Sequence, residues 1–444
     1  MPSKDTTNRK SNVLLRLARC AVILVMLVAP ARVLGAGGGA SPLRCGVTKA
    51  DVTPRKPVQM AGYAARKDLS KGVHDPLSAR VVAFENAGRR LVLVSVDNLG
   101  FYEGTAGYIR SALLERCDLS PSELFLCAIH THSAPTLTTD EKNGHANNVA
   151  YTRELTATLG DLVERALEAA APVTVGVGVG YSPVGMNRRE RVAGAGAGQA
   201  SIRLGRNPYG PTDKEVLVMK VAGSNGKPVA AIFDYACHST SLGGQNLAVS
   251  GDVFGLAEQF VEKVLGPGVV APAFVGASGD VDPWFRVRPG FDTEGGWIPE
   301  PVLLGTMLGE ETVHVFRGIG SVSASGVVET SLVTMQLPAK VVEGGAVEYT
   351  GPPEVTITAG RVGEVAFVGF GCEMLTDVGM AIKRASPFRY TFLITHCNGA
   401  SGYLAPAALY PEGGYEVQTS PFSAEAAEAV VRQAGKMLSA LYKE

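Results

Sequence analysis

Short apolar runs that break off at a histidine or a carboxylate recur along this chain of 444 residues, and they restrict its fold more than any other feature. Leu124-Phe125-Leu126-Cys127-Ala128-Ile129 stops at His130-Thr131-His132-Ser133. Val229 to Phe233 leads through Asp234 and Tyr235 to Cys237-His238-Ser239-Thr240. Val365 to Phe370 leads to Gly371-Cys372-Glu373, and Ala273-Phe274-Val275 leads to Gly279-Asp280-Val281-Asp282-Pro283. Runs this short, bounded by small and polar residues, have the length of buried strands. Polar loops at the ends of such strands are where a sheet protein places its chemistry.

The segments between them carry other periods. Val81 to Phe84 and Leu91 to Val96 are joined by Asn86-Ala87-Gly88, and Val216 to Val221 and Val229 to Phe233 by Gly223-Ser224-Asn225-Gly226; both read as hairpins. Leu155, Leu159, Leu162, Val163, Ala166 and Leu167 keep a helical period within Tyr151 to Ala170, as do Phe254 to Leu265 and Val430 to Leu441. A further helix, Met374 to Ile382, is opened by Glu373. Ala193 to Gln199 and Pro289 to Gly296 read as surface loops. Hairpins mixed with strand–helix units predict an α/β (mixed α+β) fold: one large domain whose sheet has parallel and antiparallel pairs, with the site at its strand ends.

Composition removes other classes. With 41 basic against 42 acidic residues the net charge is −1, so there is no electrostatic footprint for nucleic acid, and 46% hydrophobic with 19% charged residues is too apolar for disorder. At the N-terminus Lys4, Arg9, Lys10, Arg16 and Arg19 precede an apolar run from Cys20 to Ala29, then Pro30 and small residues. This is the layout of a signal peptide over residues 1–36, which predicts a secreted or periplasmic protein with its body at 42–444. An uncleaved anchor is the weaker reading, because the run is about half the roughly 20 residues that a membrane span needs. No later segment is long and apolar enough to span, so no stable membrane span is expected after cleavage. Beyond Cys20 the cysteines are Cys45, Cys117, Cys127, Cys237, Cys372 and Cys397, an even number with no C-x-x-C pair. Bridges and buried free thiols both remain open.

The strand-end residues point to a metal. Residues two apart in an extended chain face the same side, so His130 and His132 can address one site. Adding His238 and Glu373 gives imidazole and carboxylate donors of the kind that bind Zn²⁺. Only seven histidines exist in the chain. His74, His145, His314 and His396 are read as structural or surface residues. Asp280 and Asp282 are placed to act in the site or to satisfy backbone amides in a turn, and Asp252 to cap the helix that follows it.

His130-Thr131-His132-Ser133, Cys237-His238-Ser239-Thr240-Ser241 with Ser250-Gly251-Asp252, Gly279-Asp280-Val281-Asp282-Pro283, and Tyr403 with Tyr415-Glu416 together resemble the neutral/alkaline non-lysosomal ceramidase family, in residue type and in order. The resemblance begins near Gly46-Val47-Thr48-Lys49-Ala50-Asp51-Val52-Thr53-Pro54 with Gly62-Tyr63 and runs to about Tyr415. It implies one zinc ion held by His130, His238, Glu373 and Tyr403, with His132 as the acid/base. It also implies that Arg188, in Asn187-Arg188, contacts substrate and that Tyr415 polarises the substrate carbonyl.

Two departures qualify what the resemblance implies. Ceramide-cleaving members carry serine where this chain has Asp282, so serine chemistry is excluded at that position. They also continue into a C-terminal β-sandwich domain, which this chain is expected to lack. Zinc chemistry survives the change, because a metal brings the pKa of water to about 7 and Asp282 or His132 can take its proton. The expectation is therefore a secreted zinc-dependent amidohydrolase that uses zinc-activated water on the N-acyl bond of a lipid-like or other acylated substrate. The alternative is a degenerate family member that keeps zinc and the cleft but only binds its ligand.

Overall fold

Alternation along each strand decides which layer its side chains enter. In the strands Ser78–Asn86 and Arg89–Val96, Val81, Ala83, Val92 and Val94 face one way, and Val82, Phe84, Leu91 and Leu93 face the other. Both sets are buried, so this sheet is covered on both faces. The computed structural model describes residues 41–193, 200–284, 300–340 and 352–443. The expected leader and most of the two expected surface loops lie outside the described residues.

The larger sheet has eight strands in the order Ala273–Val275, Pro228–Tyr235, Glu215–Gly223, Ala171–Tyr181, Arg44–Asp51, Ser78–Asn86, Arg89–Val96 and Leu124–Ala128. Its two outermost pairs are parallel and the pairs between them antiparallel. Both expected hairpins are present, Ser78–Asn86 with Arg89–Val96 and Glu215–Gly223 with Pro228–Tyr235. A second sheet runs Val328–Gln336, Glu354–Val362, Val365–Phe370 and Tyr390–Ile394, the last pair parallel.

Four layers result. The helices Thr105–Arg116 and Ala146–Glu168 pack over one half of the outer face of the large sheet, and Asp252–Leu265 with Glu300–Gly318 over the other. The two sheets meet face to face through Phe84, Phe125, Phe274, Phe367 and Phe392. Helices Thr376–Ala385 and Ala426–Lys443 close the far side. The mixed α/β class expected from the hairpins and helical periods is the observed one. Among the described residues, no helix is long and apolar enough to cross a membrane.

This layering brings the strand ends together. Leu124–Ala128, Pro228–Tyr235 and Ala273–Val275 lie in one sheet, Val365–Phe370 and Tyr390–Ile394 in the other, and the loops that leave their C-terminal ends converge. Glu373 differs from its expected place. It does not open a helix but sits in the two-residue strand Glu373–Met374, paired in parallel with Tyr403–Leu404, and the helix starts at Thr376. That pairing sets Glu373 directly beside Tyr403.

Candidate metal centre

Backbone carbonyls fix the orientation of three histidines. His130 Nδ1 lies 2.7 Å from Leu99 O, His132 Nδ1 3.1 Å from Gly62 O, and His238 Nδ1 2.8 Å from Ser278 O. A carbonyl can only accept, so each Nδ1 carries the hydrogen and each Nε2 keeps a lone pair turned inward. His130 holds this position in the left-handed region, at φ 57°. That conformation is tolerated by a polar residue at a functional site when its surroundings impose it. His132 is aligned further by its backbone N–H, which donates to Ser239 O.

The inward lone pairs meet a carboxylate. Glu373 Oε2 is 3.6 Å from both His130 Nε2 and His238 Nε2, and it has no hydrogen-bond partner. Its other oxygen accepts from the Tyr102 hydroxyl at 3.1 Å. Burial works against the charged carboxylate, but His130, His396, the Tyr403 hydroxyl and Arg188 outweigh it and bring the pKa down to about 2. The imidazoles go the opposite way. Burial lowers His130, and burial with the neighbouring rings and Arg188 lowers His132 and His238 further. Neutral imidazoles beside an ionised carboxylate are the state in which these groups bind a metal. His132 Nε2 and His130 Nε2 stand 3.3 Å apart, so His132 faces the same point as the other donors.

A basic and acidic frame surrounds this cluster. Arg188 is buried and reaches Glu416 Oε1 at 2.8 Å, Asp282 Oδ1 at 3.2 Å, the Tyr403 hydroxyl at 3.1 Å and His238 Nε2 at 3.2 Å. Glu416 also accepts from Arg189 at 2.8 Å, so it anchors two guanidinium groups. Thr240 Oγ1 lies 3.4 Å from Asp282 Oδ1. The Tyr403 and Tyr415 rings are 5.7 Å apart at 72°, and Tyr415 is 43% exposed, so it lies between Tyr403 and solvent. Tyr403 remains a phenol here, because burial and Glu373 push its hydroxyl well above the usual value. Tyr410, in the same loop, is engaged elsewhere, donating to Phe422 O at 2.7 Å.

A cavity of about 630 Å³ opens beside the cluster, with Met60, Tyr63, Leu99 and Leu137 in its wall. Gly62, Leu99 and Tyr102, which hold His132, His130 and Glu373, line it too, so the partners of three donors belong to its wall. Its volume lies in the range of small-molecule sites.

All eight residues expected from the sequence, His130, His132, Arg188, His238, Asp282, Glu373, Tyr403 and Tyr415, fall in this one region. Asp280 takes the turn role: its carboxylate accepts from Thr376 N, Thr376 Oγ1 and Asn187 Nδ2. His74 pairs with Asp75, His145 caps a helix and His314 is exposed, as expected of structural or surface residues. His396 departs from that group. It is fully buried, stacks on His130 at 3.7 Å and 15°, and neither ring nitrogen has a hydrogen-bond partner. His130, Glu373 and His396 form one donor group close enough for a metal, and His130, His132 and His238 another. The signal for His396 was present, because Tyr390 to Ile394 is a strand and Thr395-His396 leaves its end as the other histidines leave theirs. Tyr102 lies past the run Leu91 to Val96 but is neither a histidine nor a carboxylate, and it reaches Glu373 only through the tertiary fold.

Fold and geometry together define an α/β protein with a buried histidine–carboxylate cluster at its strand ends. The family model described as neutral/alkaline non-lysosomal ceramidase, N-terminal, matches residues 43–284, more than half of the chain. The chain belongs to that family. Neutral ceramidase 1 of Arabidopsis thaliana is 26% identical over 249 residues, which cover 51% of this chain and 30% of the relative. Neutral ceramidase B of Dictyostelium discoideum is 26% identical over 246 residues, 51% of this chain and 33% of the relative. The chain thus spans about a third of the length of the curated relatives it matches. The crystal structure of neutral ceramidase from Pseudomonas aeruginosa superposes with a TM-score of 0.75 at 18% identity, over 91% of this chain and 75% of that one. That likeness establishes the shared fold.

Proposed function

We propose that this protein is an exported, zinc-dependent amidohydrolase that cleaves the N-acyl bond of a lipid-like substrate. The observation that carries the proposal is the convergence of inward Nε2 lone pairs with the unpartnered, ionised Glu373 Oε2, behind a cavity lined by the residues that hold them. A buried carboxylate oxygen without a partner is costly, and a cation supplies the missing one. His130, His238, Glu373 and Tyr403 are the residues that would hold zinc. Zinc bound there would act as a Lewis acid toward a carbonyl oxygen and bring the pKa of water to about 7.

The protein's own groups do the rest. His132, neutral and turned inward by Gly62 O, accepts the proton of the attacking water and returns it to the leaving nitrogen. Asp282, held against Arg188, orients that water or takes the proton with it. Tyr415, exposed beside Tyr403, donates toward the substrate oxygen as negative charge develops there, the step expected to matter most. Arg188 keeps Tyr403, Asp282 and Glu416 in register. Export rests on the leader layout of residues 1–36. The curated relatives and the solved structure bear the name ceramidase, which supports an N-acyl lipid as the substrate class.

The Asp282–Arg188 ion pair favours a second reading, a family member that binds its ligand without turnover, because it ties up both side chains. A panel of fluorogenic N-acyl and ester substrates, with and without chelator, separates the two. Chelator-sensitive amide hydrolysis is expected. Metal-containing, folded protein that hydrolyses no member of the panel would favour the binder.

A further inference from the structure

Cys127 and Cys397 meet between the two sheets. They form an isolated antiparallel bridge, and the hydrogen bonds beside it run from Ala128 N to His396 O at 3.3 Å and from Asn398 N to Leu126 O at 2.8 Å. Those bonds join the neighbours of the pair and not the pair itself. Cys127 and Cys397 are therefore a non-hydrogen-bonded pair, the type in which facing Cα atoms stand about 4.5 Å apart and side chains come closest. Facing residues project to the same side, and both cysteines enter the apolar layer that contains Phe125, Phe367 and Phe392. Gly369 makes the space, since a Cβ there would fall 2.4 Å from Cys397 Sγ.

A disulfide needs Cα atoms about 4.4–6.8 Å apart, a range that includes the spacing of a facing pair of this type. Cys45, Cys117 and Cys237 turn their thiols toward backbone carbonyls instead.

We propose that Cys127 and Cys397 become a disulfide when the chain folds in the presence of a glutathione-type disulfide oxidant. One protein thiolate attacks the oxidant, forming a mixed disulfide and releasing one thiol. The second protein thiolate then attacks the mixed disulfide, forming the Cys127–Cys397 bond and releasing the other thiol. Two protein thiols are oxidised, one oxidant disulfide is reduced to two thiols, and the protons pass to the released thiols. Both cysteines are fully buried in the folded chain, so the exchange takes place as the strands dock. The bond would tie the loop of His130 and His132 to that of His396 and Tyr403. It rests on this register and not on the metal reading.

The test is a non-reducing peptide map of the full chain, refolded in a buffer of reduced and oxidised glutathione with free thiols then blocked. A peptide pair joined through Cys127 and Cys397 is expected, about 2 Da lighter than its two reduced components and separated by reductant. In Cys127→Ser that pair should vanish and Cys397 should be recovered as a blocked thiol. A map of protein made in an oxidising host compartment reads the same bond without a refolding step. Folded protein in which Cys127 and Cys397 are both recovered as blocked thiols would overturn the proposal.

Discussion

Replacing Asp282 with Asn separates a chemical role from a structural one, because the two predict effects of different size. The side chain is 5% exposed, and its Oδ1 accepts from Arg188 Nη1 at 3.2 Å. Asn keeps the shape and an acceptor oxygen while removing the charge. A hydrogen bond to a charged group contributes about 1.5–3 kcal/mol and a neutral one about 0.5–1.5 kcal/mol, so the exchange should lower stability by about 1 kcal/mol. Arg188 retains Glu416 at 2.8 Å, which limits the loss. General-base assistance is worth about 10²- to 10⁴-fold, or about 2.7–5.5 kcal/mol of barrier, well above that change in stability. In Asp282→Asn, kcat on the best N-acyl substrate should fall by about 10²- to 10⁴-fold with metal content unchanged, read by steady-state kinetics, elemental analysis and urea unfolding together. A variant that loses stability while kcat stays within about threefold would refute a catalytic Asp282. Asp282→Ser, which restores the residue type of ceramide-cleaving members, should lose the native reaction without gaining ceramide hydrolysis.

Other perturbations have equally definite outcomes. Tyr102→Phe removes the hydroxyl that donates to Glu373 Oε1 and should weaken metal retention by about 10- to 100-fold in a chelator competition, with little change in the unfolding midpoint of the apo-protein. Gly46→Ala would place a Cβ 1.9 Å from the backbone oxygen of Ala166, so it should destabilise the fold by about 1–3 kcal/mol or more in urea unfolding. Asp234, away from the metal cluster, has its pKa raised by burial from 3.8 to about 8. The folded state therefore holds this proton more tightly than the unfolded state, and the stability it contributes is complete below about pH 3.8 and lost as pH rises through about 8. Asp234→Asn should flatten the fall in urea midpoint between pH 5 and pH 9, and an unchanged slope would count against this linkage.

The legible part of the fold was the part encoded locally. Leu155, Leu159 and Leu162 repeat with the helical period, and turn residues such as Asn86-Ala87-Gly88 separate paired strands, so those elements and the mixed α/β class could be read directly. The site was legible where a donor follows an apolar run, as at His130, His238 and Glu373. Glu373 reads as a helix start because Glu373-Met374 is too short to show a strand period; its parallel pairing with Tyr403-Leu404 depends on a distant segment. The pattern before His396 is weaker although the strand Tyr390–Ile394 precedes it, because Tyr390-Thr391 interrupts the apolar run. Tyr102 and the facing of Cys127 with Cys397 are products of sheet stacking, which no local pattern specifies.

The metal content of purified wild-type protein and of His238→Ala tests the central claim most directly. His238 is fully buried, its Nδ1 is committed to Ser278 O, and its Nε2 lies 3.6 Å from Glu373 Oε2. Elemental analysis after dialysis should find about one zinc per wild-type chain, as expected of a single four-donor site. In His238→Ala, stoichiometric zinc should be absent while circular dichroism stays native. Zinc retained near one per chain in that variant, or absent from the wild type after reconstitution, would contradict the account.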